Sequence, residues 1–154
     1  RAQASAYSRT EVVPEQLEEL WAAVSNLGSL EKLTMDRDHL RELKDLGKLL
    51  SLKTLSLAKN KLTAVPADVC LILGLKILTL QGNMLKEVPA SIGELEHLEK
   101  LDLRSNQLTY LPPAISRLRL LKQLDASENL LQTLDPSICD LHNVERVEVV
   151  TFHS

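Results

Sequence analysis

The sequence contains few aromatic residues: Tyr7, Trp21, Tyr110 and Phe152 are the only four among its 154 residues. A platform of aromatic side chains for stacking bases is therefore not expected. The net charge is −3 with both signs interspersed, whereas a nucleic-acid-binding domain normally carries a basic patch. No apolar run reaches the length of a membrane-spanning helix. We expect neither a nucleic-acid partner nor membrane insertion.

The motifs of common catalytic sites are also missing. The sequence contains no glycine-rich phosphate loop, no HExxH, no CxxC and no GxSxG, and its four histidines are dispersed. Patterns of this kind supply phosphate-binding backbone, metal ligands or nucleophiles in many enzymes. We therefore expect no catalytic residues, no metal site and no cofactor.

What the sequence does contain is an internal repeat of 23 residues. Strand-like segments begin at residues 30, 52, 75, 98, 121 and 144, and the asparagines 60, 83, 106 and 129 recur at the same period. A fixed period of this length indicates a solenoid of stacked units. Within each segment the fourth and sixth residues are apolar and point inward, while the third and fifth point outward.

Each strand-like segment is followed by a turn and a return arm. A buried Asn side chain can both donate to and accept from the turn backbone, so one Asn per repeat predicts a hydrogen-bonded ladder. The arm pattern x-x-[LV]-P-x-x-[IV]-x-x-L predicts an extended segment and then a short helical turn. The first repeat departs from this pattern: it has 22 residues, Asp38 in place of Asn, and an arm without Pro that we expect to be more helical.

The string LxxLxLxxNxLxxLPxxIxxLxx resembles the leucine-rich repeat family in its 23-residue form, over roughly residues 30–151. Repeats of this form are similar to those of intracellular scaffold proteins of the Scribble, Erbin and Ras-suppressor type, and of many bacterial proteins. The resemblance implies an α/β right-handed solenoid with six parallel strands on the concave face and loops and short helices on the convex face. It also implies a function in protein recognition.

Three segments follow from this pattern. Residues 1–13 show no periodicity and are predicted to be a tail. Residues 14–29 combine an early Pro with an apolar stripe that includes Trp21, which predicts an N-terminal capping helix. Residues 30–154 are predicted to form the solenoid. Its last repeat has Phe152 where Asn is expected. Either Phe152 closes the end of the stack, or residues 144–150 form an exposed edge strand.

The two cysteines, Cys70 and Cys139, occupy the same repeat position three repeats apart. Stacking at about 4.8 Å per repeat separates them by roughly 14–15 Å, and a disulfide needs Cα atoms within about 7 Å. An intramolecular disulfide is thus excluded. Unpaired cysteines, together with the absence of any Asn-X-Ser/Thr sequon, favour an intracellular and cytoplasmic location.

The outward strand positions and the residues just after them define a candidate binding surface on the concave face. Its members are Thr54, Ser56, Lys59, Ile77, Thr79, Gln81, Lys100, Asp102, Arg104, Gln123, Asp125 and Glu148. Asp102, Asp125 and Glu148 align in one column. Paired carboxylates can act as general acid and base, but an open sheet offers no deep pocket to shift their pKa. We interpret the column as a binding surface. Ile77 is either an apolar contact or a residue favoured by strand geometry.

A second candidate surface lies on the convex face, at Cys70, Leu71 and Leu73. The positions of these two leucines carry charged residues or His in the following repeats, so an exposed apolar patch here would indicate an interface. The alternative is that the leucines fill space left by the shorter first return arm.

The sequence thus predicts a non-catalytic protein–protein interaction module that binds a partner protein through its concave face, as the recognition or scaffolding segment of a larger intracellular protein. One alternative is the targeting or sensing arm of a signalling enzyme (a kinase, GTPase, phosphatase or ubiquitin ligase) whose catalytic domain lies outside these residues. Another is a structural unit that assembles through the C-terminal edge. We expect a monomer, with a dimer paired through residues 144–150 as the alternative.

Overall fold

The computed structural model describes residues 2–5, as a strand, and residues 28–149. Its strands are β1 (Ala2–Ser5), β2 (Leu30–Thr34), β3 (Thr54–Ser56), β4 (Ile77–Thr79), β5 (Lys100–Asp102), β6 (Gln123–Asp125) and β7 (Arg146–Glu148). Its short 3₁₀ helices are η1 (Leu46–Lys48), η2 (Ala67–Leu71), η3 (Ala90–Glu94), η4 (Pro113–Arg117) and η5 (Pro136–Asp140). From β2 onward, strands and helices alternate, one of each per repeat.

The strands form one parallel sheet in the order β1 to β7. The register brings equivalent repeat positions together, so Leu55 pairs with Leu33 on one side and with Leu78 on the other. Inward side chains on these strands are fully buried: Leu33, Leu55 and Leu78 are each 0% exposed. We call each repeat, with its strand and return arm, a rung of the solenoid. Because each rung buries the apolar side chains of the rung before it, the core is one continuous column made mostly of leucines.

Six of the seven strands are the predicted ones, and β1 is additional. It lies in the segment 1–13 that the sequence assigns to a tail. The residues Ala-Gln-Ala-Ser carry no apolar alternation, so only the pairing of their backbone with β2 reveals the strand. The predicted capping helix 14–29 lies outside the described residues except for Gly28 and Ser29, which form a turn before β2.

The predicted asparagine ladder is confirmed. Asn83 Oδ1 accepts a hydrogen bond from the backbone N–H of Leu62 at 3.1 Å, and its Nδ2 donates to the carbonyl oxygens of Leu57 and Leu80 at 2.9 and 3.0 Å. Asn106 repeats these contacts one rung further on. Each amide therefore satisfies buried backbone groups of two neighbouring rungs, which fixes the stacking distance.

The return arms have the predicted extended-then-helical form in the repeats that contain Pro. Pro89 adopts an extended conformation (φ −69°, ψ 152°) directly before η3, and Pro112 does the same before η4. The prediction for the first arm is wrong, because η1 is the shortest helix rather than the longest. Asp45, with a left-handed φ of 63°, interrupts the arm just before η1.

The C-terminal rung is less covered than the others. Among the described residues β7 pairs only with β6, and Val147, at the inward position that is buried in β2 to β6, is 43% exposed. The dimer predicted through residues 144–150 would use this edge.

Candidate functional site

The parallel register places the outward strand residues in two columns on the concave face. Ile77 pairs with Thr54 and with Lys100, which puts the third strand positions side by side. Thr79 pairs with Ser56 and with Asp102 in the same way. The structure therefore gathers the strand members of the predicted concave surface, including Gln123, Asp125 and Glu148, on one face of one sheet.

The residues that follow the strands extend this surface through a turn that requires left-handed backbone. Lys59, Ser105 and Glu128 have φ between 53° and 57°, and Gly82, at the equivalent position, has φ 71°. The turn is held across rungs by backbone bonds such as Lys59 N–H to the Gln81 carbonyl oxygen at 2.8 Å. The predicted members Lys59, Gln81 and Arg104 are thus fixed at the rim of the concave face.

Asp102 and Asp125 form the most distinctive pair on the concave face. They are register partners on β5 and β6, so their Cα atoms are about 4.8 Å apart. Asp102 Oδ1 accepts from the Arg104 N–H at 3.0 Å, and Asp125 Oδ1 accepts from the Ser127 N–H at 2.9 Å and from its hydroxyl at 2.6 Å. Each carboxylate is oriented by its own turn. Among the described residues neither forms an ion pair within 4 Å.

The surroundings of Asp102 disfavour its negative charge. The pKa of Asp102 is raised by burial and further by the neighbouring Asp125 carboxylate, while the hydrogen bond from the Arg104 N–H opposes this. A shallow depression of about 120 Å³ lies over the pair, lined also by Lys100, Arg146 and Glu148. A cation placed there would relieve the repulsion between Asp102 and Asp125.

Two other acidic residues on this face, Glu128 and Glu148, form ion pairs. Glu128 accepts from Arg104 Nη2 at 2.7 Å and from the Ser105 hydroxyl. These contacts, the Ser105 hydrogen bond foremost, lower the pKa of Glu128. Glu148 forms an ion pair with Arg146 in the next column. Asp102 and Asp125 differ from these two residues in lacking an ion pair among the described residues, although the charges of Lys100 and Arg104 partly oppose the raised pKa of Asp102.

The convex candidate surface is formed by leucines without Cys70. Cys70 is 3% exposed and its pKa is raised, first by burial, so its thiol belongs to the core. Leu71 and Leu73 are 61% and 59% exposed, and Leu50 is 77% exposed. Leu50 is equivalent to Leu73, because each directly follows the last buried apolar residue of its return arm (Leu49 and Ile72). The first repeat has 22 residues rather than 23, so a 23-residue alignment of the sequence does not show this equivalence.

Part of the Leu71 side chain does fill space beside the first arm. A Cβ atom added to Gly47 would lie 3.2 Å from Leu71 Cδ1, so Leu71 packs over η1. The two interpretations of this patch are therefore compatible: Leu71 covers Gly47 and remains mostly exposed on its other side.

Two further features of residues 28–149 bear on function. No group of three or more His, Cys, Asp or Glu side chains in this part of the chain is arranged to hold a metal ion. None of its helices has the length and hydropathy that crossing a bilayer requires.

Comparison with known proteins places this architecture in a family. The family model described as leucine rich repeat matches residues 73–131. The ectodomain of the receptor kinase SOBIR1 from Arabidopsis thaliana is 30% identical, with a TM-score of 0.66, and the match covers 76% of this chain and 67% of that one. The chain belongs to the leucine-rich repeat family, and the predicted solenoid fold is confirmed.

Two other solved structures show how widely the fold is used. The protein LIC12759 from Leptospira interrogans is 28% identical with a TM-score of 0.81; the match covers 90% of this chain but only 40% of that one. A chain of the BIR3–SERK2 complex from Arabidopsis thaliana is 27% identical with a TM-score of 0.64, covering 77% of this chain and 66% of that one. No curated protein sequence matches the chain.

Proposed function

We propose that this chain is a non-catalytic protein-recognition module that binds a partner segment across its concave face and takes a basic side chain of that segment between Asp102 and Asp125. The observation that carries the proposal is the pair itself. Two carboxylates on adjacent strands are oriented by local hydrogen bonds and lack an ion-pair partner among the described residues. Preorganised groups of this kind lose little conformational entropy on binding.

The chemistry of the pair favours Arg or Lys in the partner. Each aspartate uses Oδ1 for its own turn, which leaves Oδ2 of both residues for a ligand. A guanidinium group can bridge two such oxygens because its donors lie in one plane. A positive charge beside Asp102 favours its ionised form and so opposes the rise of its pKa, which is caused first by burial.

Ile77 supplies an apolar contact near this acidic pair. It is half-buried on β4, in register with Lys100 on the strand that carries Asp102. A partner segment crossing the strands would therefore meet an apolar residue and then two carboxylates. A short partner segment with one apolar and one basic residue fits this order.

The relatives support binding to protein rather than to a small molecule. One of the matched structures is a complex of two proteins, BIR3 and SERK2. The depression over the acidic pair, about 120 Å³, is smaller than the clefts of about 300–1,000 Å³ that enclose small ligands. A side chain of a larger partner is the better match.

A second candidate is that these repeats form the recognition arm of a signalling enzyme. One matched structure is the ectodomain of a receptor kinase, and the chain spans 40% of the length of LIC12759. In that arrangement the same concave face would select the substrate or ligand, and catalysis would occur outside residues 28–149. Sequencing the complete reading frame distinguishes this candidate from a scaffold.

An intracellular, cytoplasmic location is part of the proposal. Cys70 and Cys139 are both free thiols, which suits a reducing compartment. Imaging of a tagged full-length protein tests the location directly, and secretion of the protein would contradict it.

The test of the concave site is affinity capture with quantitative mass spectrometry, followed by binding of the purified partner. The double variant Asp102→Asn/Asp125→Asn keeps the side-chain shape and removes both charges. We expect it to weaken binding at least tenfold and to reduce the salt dependence of the affinity. The control variant Asp140→Asn/Glu145→Gln removes two exposed charges outside the concave columns and should bind normally. Equal binding by the Asp102 and Asp125 variant would refute the site.

A further inference from the structure

The convex face carries an apolar patch that the concave site does not use. The convex leucine patch consists of Leu50, Leu71 and Leu73, with exposures of 77%, 61% and 59%. Leu50 and Leu73 are equivalent residues on neighbouring rungs, and Leu71 packs over Gly47 between them. Exposed apolar side chains that lie together in this way can mark an interaction surface.

The same convex positions change character from rung to rung. On the rung after the leucines they hold Glu94 and Glu96, and on the next rung they hold Arg117 and Arg119. All four are exposed, and none forms an ion pair within 4 Å among the described residues. Along the solenoid axis the convex face therefore presents an apolar band, an acidic band and a basic band.

A groove separates the acidic band from the basic band. It has a volume of about 660 Å³ and is lined by Glu94, Glu96, Arg117, Arg119 and Leu120, among others. Its floor is closed because Gly93 lets η3 approach η4: a Cβ atom there would lie 2.8 Å from the Ala114 carbonyl oxygen. The two arms thus touch below, while their charged side chains leave room above for a ligand.

We propose that this convex face docks an amphipathic α-helix of a partner protein whose contacting residues read apolar, apolar, basic, acidic along one stripe. The apolar pair covers the leucine patch, the basic residue contacts Glu94 and Glu96, and the acidic residue contacts Arg117 and Arg119. Charge complementarity thereby fixes the position of the helix along the solenoid, and the leucines supply the apolar contact area.

A helix places the four contacting residues on one stripe. Residues i, i+4, i+7 and i+11 lie on the same face of an α-helix and advance along its axis by about 1.5 Å per residue. The order of the apolar, acidic and basic bands along the solenoid axis therefore sets the order of residue types along the helix.

The partner is a different protein rather than a second copy of this chain. The helices among the described residues contain at most five residues, too few to span four rungs. The helix that the sequence predicts at 14–29 contains no Lys or Arg, nor do its flanking residues from 10 to 31. It therefore lacks the basic residue that the acidic band requires.

The test uses two synthetic helical peptides of identical composition on an alanine-rich background. One carries Leu, Leu, Lys and Glu at positions i, i+4, i+7 and i+11; the other exchanges Lys and Glu. Each peptide is made with its sequence in both directions, because the proposal does not fix which end of the helix lies over the leucine patch. Fluorescence anisotropy with the whole chain should show at least tenfold tighter binding of the first pattern in one direction.

Two variants of the chain make the result specific. Leu73→Glu should abolish binding of the first peptide. The variant E94R/E96R/R117E/R119E exchanges the acidic and basic bands and should invert the preference between the peptides. Circular dichroism and thermal unfolding check that each variant remains folded. The concave variant Asp102→Asn/Asp125→Asn should leave peptide binding unchanged, so failure of one site is distinguishable from failure of the other. Equal affinity of the two peptides, or no binding of either, overturns the proposal.

Discussion

Asn60 Oδ1 accepts a hydrogen bond from the backbone N–H of Asp38 at 2.9 Å, whereas neither carboxyl oxygen of Asp38 has a partner among the described residues. Asp38 occupies the ladder position of the first repeat and is 2% exposed. Burial, and to a lesser extent the nearby Asp36 carboxylate, raises the pKa of Asp38 to about 6. The ladder thus begins with a carboxylate where an amide would satisfy the backbone.

Replacing Asp38 with Asn should stabilise the protein at neutral pH. An amide at this position can donate to the backbone carbonyls two and three residues before it, as Asn60 donates to Ala58 and Leu57. Removing the buried charge adds to this gain. We expect an increase of about 1–3 kcal/mol in the free energy of unfolding at pH 7.5, measured by urea denaturation.

The same substitution should show a defined pH dependence. Because the folded-state pKa of Asp38 is above its unfolded value of 3.8, the folded protein holds the proton more tightly. The stability that the protonated Asp38 side chain contributes is therefore present below about pH 4 and is lost as the pH rises to about 6. The difference between Asp38→Asn and the original chain should be largest above pH 6 and should shrink towards pH 4. A difference independent of pH would show that burial of the charge is not its cause.

Asn83 is predicted to be among the most sensitive polar positions. The variant Asn83→Ala removes one acceptor and two donors that serve the buried backbone of Leu57, Leu62 and Leu80. Leaving such groups unsatisfied should lower the free energy of unfolding by about 2–4 kcal/mol. Asn143→Ala is the control, because Asn143 makes one exposed bond to the Arg119 carbonyl oxygen. Similar effects at the two positions in urea denaturation would contradict the ladder's role.

The regular part of this fold follows from the sequence, because a period of 23 residues determines both register and face. Once the strands are in register, the positions of Asp102 and Asp125 on one surface need no further information. Whether nearby cations form ion pairs with these two aspartates does not follow from the register. Arg104 could have paired with Asp102, but in the structure its guanidinium contacts Glu128 on the next rung.

The exposure of a side chain does not follow from its repeat position where it depends on the next repeat in the stack. Cys70 and Cys139 share one repeat position, yet Cys70 is buried and Cys139 is exposed. The following arm, with Ser91 and Glu94, lies close to Cys70, while no return arm follows that of Cys139 among the described residues. The exposure of Leu50 was obscured for a related reason: one missing residue in the first repeat shifts the alignment of its arm.

Gly93 should be required for the close packing of η3 on η4. In Gly93→Ala the new methyl group would lie 2.8 Å from the Ala114 carbonyl oxygen, and this atom belongs to backbone that cannot rotate away. We expect a loss of about 1–3 kcal/mol in thermal or urea unfolding. Gly74→Ala is the matched control, because nothing lies within 4 Å of its added Cβ atom. The prediction fails if both substitutions are neutral.

The two thiols should react at very different rates in the native protein. Cys139 is exposed and Cys70 is buried, and burial raises the pKa of the Cys70 thiol, with the neighbouring Ser91 side chain partly opposing this shift. A raised pKa reduces the thiolate fraction, and the thiolate is the reactive form. With a disulfide reagent near pH 8, one equivalent should therefore react quickly, and the second should react only after local or global opening of the chain.

Two variants and a denaturant assign the phases. Cys139→Ser should remove the fast phase and Cys70→Ser should remove the slow phase. In 6 M guanidinium chloride both thiols of the original chain should react together. Two equivalents reacting at one rate under native conditions would contradict the burial of Cys70 and, with it, the packing of the second arm against the third.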